Sequence, residues 1–216
     1  QKLSQYGLFQ GRLVDLMPIE RAELLTISSA LFTDYAEKQR ILLLPKGKKM
    51  VARGKGLPDF PDGTILAKTF FYPRGVGEQK AGKLILETRL LIKNKSQWNA
   101  ATYKWNDSQD EAYLLTAGAT VPVTFRDEKG SFGKTAYKIP SRSDCIACHR
   151  QGSGMFPLGP KISTLNIELG RKTKSVNQLV YLKQKGRLDS ASLSGISRAP
   201  DYGNLLEPVE KRARAY

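Results

Sequence analysis

Short runs of residues with high β-propensity, separated by turn residues, fill the middle of the chain. Such runs, bounded by Gly, Pro, Asp or Asn, are typical of strands joined by tight turns. They occupy residues 41–44, 64–72, 84–93, 98–106, 120–126 and 135–139. Closely spaced strands pair antiparallel, because parallel pairing needs long crossover connections. The pattern predicts a β-rich α+β fold with an antiparallel sheet or a barrel-like body.

The segments on either side of this region have helical character. Residues 20–35 have helical content, and residues 174–185 carry apolar residues at helical spacing, with Gly186 as the stop. The segment after Gly186 is rich in Ser, Arg, Pro and Gly, which is typical of a loosely structured tail. We therefore predict one domain over residues 1–190, with helices at both ends, and an extended or loosely structured tail over residues 191–216.

The two cysteines and the one histidine of the chain lie within five consecutive positions, as Cys145, Cys148 and His149. The spacing C-x-x-C-H is the attachment signature of c-type haem. Each thiol can form a thioether with a haem vinyl group, while the imidazole holds the proximal position on the iron. The sequence therefore predicts a C-terminal c-type haem-binding segment with one covalent haem c, whose iron is bound by His149.

Other interpretations of this motif explain less. A thioredoxin-like redox pair would follow a strand and open a helix in a β-α-β unit, and it leaves His149 without a role. A disulfide between residues three apart closes almost no loop and stabilises little. The late position of the motif, behind a mostly β-rich body, also differs from the small all-helical cytochromes c.

The chain has no second histidine for the distal side of the iron. The distal ligand can then be Met, Lys, water or an exogenous molecule, or the position can be open. Met155, in a Gly/Pro-rich loop six residues after His149, is the leading methionine, and Met17 and Met50 are the others. A Met ligand raises the reduction potential and favours electron transfer, whereas an open site favours catalysis or small-ligand binding.

Covalent haem attachment also predicts where the protein works. Thioethers are made on the outer side of the bacterial inner membrane, so we expect a periplasmic, extracellular or surface protein whose leader is absent from this chain. No apolar run approaches the length of a transmembrane helix, which is about 20 residues.

The chain is strongly basic, with 35 Lys and Arg against 20 Asp and Glu and a formal net charge of +15. The cations concentrate at Lys46, Lys48, Lys49, Arg53 and Lys55, and again at Arg171, Lys172, Lys174, Lys183, Lys185 and Arg187. No nucleic-acid-binding fold accompanies them, so nucleic acid is not the expected partner. Complementary charge speeds encounter, which predicts an acidic redox partner or a larger redox assembly. Arg89 and Arg142 are candidate partners of the haem propionates.

Several stretches resemble a family of uncharacterised bacterial c-type haem proteins with a late C-x-x-C-H motif. They are LFTDYAEK (31–38), FPDGTILAKTF (60–70), ETRLL (87–91), YKWND (103–107), IPS (139–141), LGP (158–160) and NQL (177–179). The likeness runs over about residues 3–187. It implies a c-type haem protein. From the haem motif itself we predict a mono-haem c-type cytochrome for periplasmic or extracellular electron transfer.

The chain is more distantly similar to the lysine-cross-linked, hydroxylamine-oxidising cytochromes. Their Phe-x-Asp-Gly-Thr-x-x-x-Lys stretch resembles Phe60 to Lys68, and Arg40 matches an upstream arginine. In that family the lysine is bonded to the haem edge, which makes Lys68 a candidate for the same bond. This second resemblance implies a β-barrel-like or sandwich fold with haem at its side. It also implies the alternative function, a haem enzyme or small-ligand-binding protein with an open distal site.

Overall fold

The computed structural model describes residues 1–74, 82–126, 130–152, 154–171, 174–189, 193 and 195–215. The described strands are β1 (Ala22–Leu24), β2 (Glu37–Leu43), β3 (Met50–Val51), β4 (Ile65–Pro73), β5 (Lys83–Asn94), β6 (Gln97–Trp105), β7 (Ala112–Leu115), β8 (Ala119–Arg126), β9 (Phe132–Ile139), β10 (Arg150–Gln151), β11 (Gly154–Met155), β12 (Glu168–Arg171), β13 (Lys174–Asn177) and β14 (Leu188–Asp189). The described helices are α1 (Arg142–His149), α2 (Ile162–Leu165), α3 (Gln178–Gln184) and α4 (Val209–Ala215).

The main sheet has six antiparallel strands in the order β1-β2-β4-β5-β6-β7. The predicted β-rich antiparallel body is therefore confirmed, but the barrel-like alternative is wrong, because β1 and β7 remain two separate edges. The amino terminus lies along the β7 edge instead. Lys2 forms a β-bridge with Tyr113, and the Leu114 amide donates to the carbonyl of Gln1 at 3.1 Å.

The turn between β5 and β6 shows how local sequence sets the register of this sheet. Lys95 and Ser96 have φ values of 48° and 62°, the left-handed conformation that a two-residue hairpin turn requires. Asp62 accepts a hydrogen bond from the Ser96 amide at 2.8 Å and holds the turn. The turn that the sequence predicts between β8 and β9 falls on residues 127–129, outside the described residues.

The helix expected within residues 20–35 is wrong. This segment contains β1, and the Leu25 amide donates to the carbonyl of Arg40 at 2.9 Å. Two 3-10 turns, Leu3–Tyr6 and Leu13–Asp15, precede it, so the expected helix at the amino-terminal end is replaced by irregular chain and a strand. Pairing with the edge of β2 satisfies the backbone and outweighs the weak helical preference.

The expected helix at residues 174–185 is confirmed in part. Its first four residues form β13, and α3 begins only after Asn177, whose side chain caps the Leu179 amide at 3.0 Å. Gly186, with φ 66°, ends it as expected. In the tail, residues 191, 192, 194 and 216 lie outside the described residues, and α4 has no buried residue. No helix in the described ranges is long and apolar enough to span a membrane.

The two faces of the main sheet are covered differently. One face packs against the amino-terminal segment through Leu3, Leu8 and Leu16. The other face meets two separate clusters: one contains α2, α3 and Leu42, and the other contains the β8–β9 hairpin and Phe70. Arg40, Lys68 and Arg89 point to this second face, because side chains alternate along a strand. Along β4, Lys68 lies between Leu66, which packs against the first of these clusters, and Phe70, which belongs to the second.

Candidate haem site

Helix α1 presents the C-x-x-C-H motif on one side. Its start is fixed by a capping box, in which the Ser141 hydroxyl accepts from the Asp144 amide at 3.2 Å and the Asp144 carboxylate accepts from the Ser141 amide at 2.9 Å. These bonds hold the pKa of Asp144 below its usual value. Cys145, Cys148 and His149 follow at i, i+3 and i+4, which places them on the same helical face.

The two thiols of the motif differ in exposure. Both are free, and Cys145 is buried while Cys148 is exposed. Helix α1 lies against β6, and the Cys145 Sγ is 3.7 Å from the Thr102 Oγ1. One thiol is thus anchored to the sheet, and the other faces outward one turn later.

The imidazole of His149 has a defined orientation. Its Nδ1 lies 2.8 Å from the carbonyl oxygen of Phe156, so Nδ1 carries the proton and donates it. The Phe156 amide in turn donates to the His149 carbonyl at 2.9 Å. This pair of bonds leaves the lone pair on Nε2, the nitrogen that a proximal histidine offers to iron.

A partly open cavity of about 110 Å³ adjoins the motif. Apolar side chains dominate its lining, which consists of Arg89, Leu90, Leu91, Ala100, Ala101, Pro140, Asp144, Cys145, Cys148 and His149. The described residues contain no group of three or more His, Cys, Asp or Glu that could hold a bare metal ion. The donor set of two thiols and one oriented imidazole fits a covalently attached haem, in which the porphyrin would supply four of the iron ligands.

Lys68 is the register partner of Arg89, which lines this cavity, and it lies at the centre of a cationic row on three neighbouring strands. Strand register pairs it with Arg40 on β2 and with Arg89 on β5, and Thr102 on β6 continues the row toward Cys145. Burial, followed by the positive charges of Arg40 and Arg89, lowers the pKa of Lys68 to about 7. A large share of the Lys68 side chains is therefore neutral near pH 7.

Arg89 is held in place by a buried carboxylate. Its guanidinium donates to Glu87 at 2.5 and 2.9 Å, and the Tyr137 hydroxyl donates to the same carboxylate at 2.7 Å. Although burial acts in the opposite direction, Glu87 raises the pKa of Arg89. The Phe70 ring lies 4.3 Å from the Arg89 guanidinium carbon and 4.8 Å from the Lys68 Nζ. The negative charge of Glu87 therefore offsets the positive charge of Arg89. The positive charges of Lys68 and Arg40 lie next to this ion pair.

The three methionines occupy different environments. Met50 is fully buried in the cluster with α2 and α3, and Met17 is about half exposed near the amino terminus. Met155 is partly buried on β11, where it pairs with Arg150, directly after His149. The structure thus brings Met155 close to the motif along the chain, and its role as an iron ligand stays a prediction.

The two basic concentrations of the sequence meet in space. Strand β3 follows Lys48 and Lys49, β14 follows Lys185 and Arg187, and the two strands pair in parallel. Arg187 is bound to the buried Glu23 at 3.0 Å, whereas the lysines are exposed. Lys172 lies outside the described residues. We call the surface formed by Lys48, Lys49, Lys185 and Arg187 the β3–β14 basic surface.

Sequence reasoning missed Glu87, Tyr137 and Phe156 as parts of the site. Glu87 had a usable signal, because it lies two residues before Arg89 in a predicted strand and so shares its face. Tyr137 had none, since its hydroxyl reaches Glu87 only through tertiary packing. The Phe156 carbonyl is brought back to His149 by the short β10–β11 hairpin, which was not predicted.

Comparisons of the chain with family models, with curated proteins and with solved structures found no match. The two family resemblances therefore stay predictions.

Proposed function

We propose that the chain is a mono-haem c-type cytochrome that transfers electrons in the periplasm or outside the cell. Cys145 and Cys148 form the thioethers, and His149 binds the iron on the proximal side. When bound, the haem supplies one-electron chemistry. The observation that carries this proposal is the 2.8 Å bond from the His149 Nδ1 to the Phe156 carbonyl, because it directs Nε2 toward a ligand.

Each thioether forms when a thiol adds across a vinyl double bond, so attachment needs no oxidant and releases no atom. The exposed Cys148 is accessible for this addition, while Cys145 lies at the end of the cationic row next to Thr102. Leu91 and Ala100, which are register partners on β5 and β6, are among the apolar residues that line the cavity. The chain's contribution is to hold two sulfurs and one nitrogen on a capped helix.

The alternative function is a haem enzyme or small-ligand-binding protein with an open distal site. The observation that favours it is the cationic row, which places partly buried Arg and Lys side chains, instead of a methionine, beside the cavity. In the electron-transfer form of the proposal, Met155 is the distal ligand. The candidate bond from Lys68 to the haem edge belongs with the alternative. It would replace one N–H bond of the amine and one C–H bond of the haem edge, so it would need a two-electron oxidant from outside the chain.

For its partner we propose an acidic redox protein or redox assembly. The support is the β3–β14 basic surface, whose exposed lysines come from two distant parts of the chain. Charges of one sign on one surface accelerate the approach of a partner with the opposite charge.

To test the attachment, the chain is exported from cells that also carry a haem-attachment machinery, and its tryptic peptides are then analysed by mass spectrometry. We expect the tryptic peptide with Cys145 and Cys148 to carry the full mass of one haem. The double variant Cys145→Ala, Cys148→Ala should lose it. Thr116→Ala should retain it and is the matched control, because Thr116 is exposed and only its carbonyl accepts from the first amide of α1. A wild-type peptide without haem would refute the proposal. A haem joined to the peptide containing Lys68 would establish the second bond.

Visible spectra of the wild type and of Met155→Ala distinguish the two forms of the function. A six-coordinate low-spin haem that changes on Met155→Ala indicates the electron-transfer form. A high-spin haem that binds carbon monoxide readily, and is unaffected by Met155→Ala, indicates the open distal site. Met17→Ala serves as the control, because that side chain is exposed at the other end of the chain.

A further inference from the structure

Only one of the three cations of the row has an ion-pair partner among the described residues. Arg89 is neutralised by Glu87. Arg40 and Lys68 have neither an ion pair nor a side-chain hydrogen bond among the described residues, although both are only partly exposed. Burying unpaired cations is costly, and a protein keeps such groups where a ligand of opposite charge offsets the cost.

The charges that act on Lys68 are mostly positive: Glu87 is the one acid among them, and Asp34 acts on the more distant Lys38. Lys38, two residues before Arg40 on β2, also contributes to the lowered pKa of Lys68, and its Nζ donates to the Leu31 carbonyl at 2.8 Å. Along the strands the row is bounded by Leu66 on one side and by Phe70 on the other. The side chains of these two neighbours are apolar, so they offer a bound anion no competing hydrogen bonds.

The spacing of the two cations defines the size of the ligand. Arg40 and Lys68 are register partners on neighbouring antiparallel strands, which lie about 4.8 Å apart. Side chains that leave the same face at this separation can both reach one group with two or more oxygens. Arg recognises such a group through its planar fork, and Lys recognises it as a point charge.

We propose that Arg40 and Lys68 form a binding site for one carboxylate or small oxyanion on the face of the sheet. The anion has two sources with the same chemistry. It is a propionate of the haem, in which case the inference rests on the proposed function, or it is a small exogenous oxyanion that enters the cleft. Arg89 is not part of this anion site, because its charge is already offset by the carboxylate of Glu87.

The test uses the purified chain with its haem, in four forms: wild type, Arg40→Gln, Lys68→Gln and Lys95→Gln. Lys95 is the matched control, because it is an exposed lysine in the turn between β5 and β6. Titration calorimetry with inorganic phosphate at low ionic strength measures the exogenous source. Resonance Raman spectroscopy of the propionate bending mode measures the haem source, since this mode shifts when a hydrogen bond to the propionate is lost.

If the anion is exogenous, phosphate binds to wild type and Lys95→Gln, and its affinity falls at least tenfold in Arg40→Gln and in Lys68→Gln. If it is a propionate, phosphate does not bind, and the bending mode shifts in Arg40→Gln and Lys68→Gln only. The inference is overturned if neither measurement separates these two variants from Lys95→Gln. A chain purified without haem would refute the proposed function, and the calorimetric comparison alone would then decide the anion site.

Discussion

The carboxylate of Glu87 holds the guanidinium of Arg89, two residues further along the same strand, through two hydrogen bonds of 2.9 and 2.5 Å. Glu87 is fully buried, and Arg89 is about one third exposed. The pair therefore joins the buried middle of the sheet to the cavity beside Cys145. It keeps one cation of the row in a fixed place, and its disruption has a predictable cost.

We expect Arg89→Met to destabilise the fold by about 3 kcal/mol, because it leaves the buried Glu87 carboxylate without its cation. Tyr137→Phe removes one hydrogen bond to the same carboxylate and should cost about 1 kcal/mol. The double variant Glu87→Leu, Arg89→Met should lose less than the two single changes together, since neither charge remains. Urea denaturation followed by tryptophan fluorescence measures these proteins against the wild type. An Arg89→Met variant as stable as Tyr137→Phe would contradict the charge argument.

Lys68 should make stability depend on pH in the haem-free Cys145→Ala, Cys148→Ala chain, where no bond to haem can form. Its pKa is about 7 in the folded chain and about 10.4 when unfolded. Below pH 7 both states are protonated. Between the two pKa values the unfolded state binds more protons, so the free energy of unfolding rises with pH.

The measurement compares this chain with the same chain carrying Lys68→Met at several pH values. Between pH 7 and 9 the chain with Lys68 should gain about 1–2 kcal/mol relative to Lys68→Met, after allowance for the partial exposure of the side chain. The same comparison with Lys95→Met controls for loss of an exposed lysine. If the free energy of unfolding changed with pH by the same amount in the Lys68 chain and in Lys68→Met, the lowered pKa of Lys68 would be contradicted.

The sequence predicts the parts of this fold that local rules decide. The strands β4, β5 and β6 and the turn at Lys95 follow from β-propensity and turn chemistry. The segment around Glu23 does not, because its strand depends on the edge of β2 and on a distant partner, Arg187. The cationic row follows only in retrospect, since it needs the register that pairs Arg40, Lys68 and Arg89.

Even the smallest side chain at position 133, the methyl group of Ala, should destabilise the fold. Gly133 lies opposite Phe125 in the β8–β9 hairpin, and a Cβ added there would be 2.6 Å from the Phe125 Cζ. Because this ring is nearly buried, we expect Gly133→Ala to destabilise by about 1–3 kcal/mol in thermal unfolding. Gly170→Ala is the matched control, since no atom lies within 4 Å of its added Cβ, and its change should stay within about 0.5 kcal/mol. Equal stabilities for the two variants would exclude this close contact.

The capping box at the start of α1 should control the order of the C-x-x-C-H helix. Ser141→Ala removes the oxygen that accepts from the Asp144 amide, a loss worth about 1 kcal/mol at a helix start. We expect hydrogen exchange of the α1 amides to quicken about fivefold, with little change in the amides of β5. Ser143→Ala is the control, because its hydroxyl only contacts the Ser141 Oγ.

Since α1 presents both thiols and His149, Ser141→Ala should also lower the yield of attached haem more than Ser143→Ala does. Identical exchange rates in the two variants would show that packing against β6, rather than the cap, keeps the motif helical.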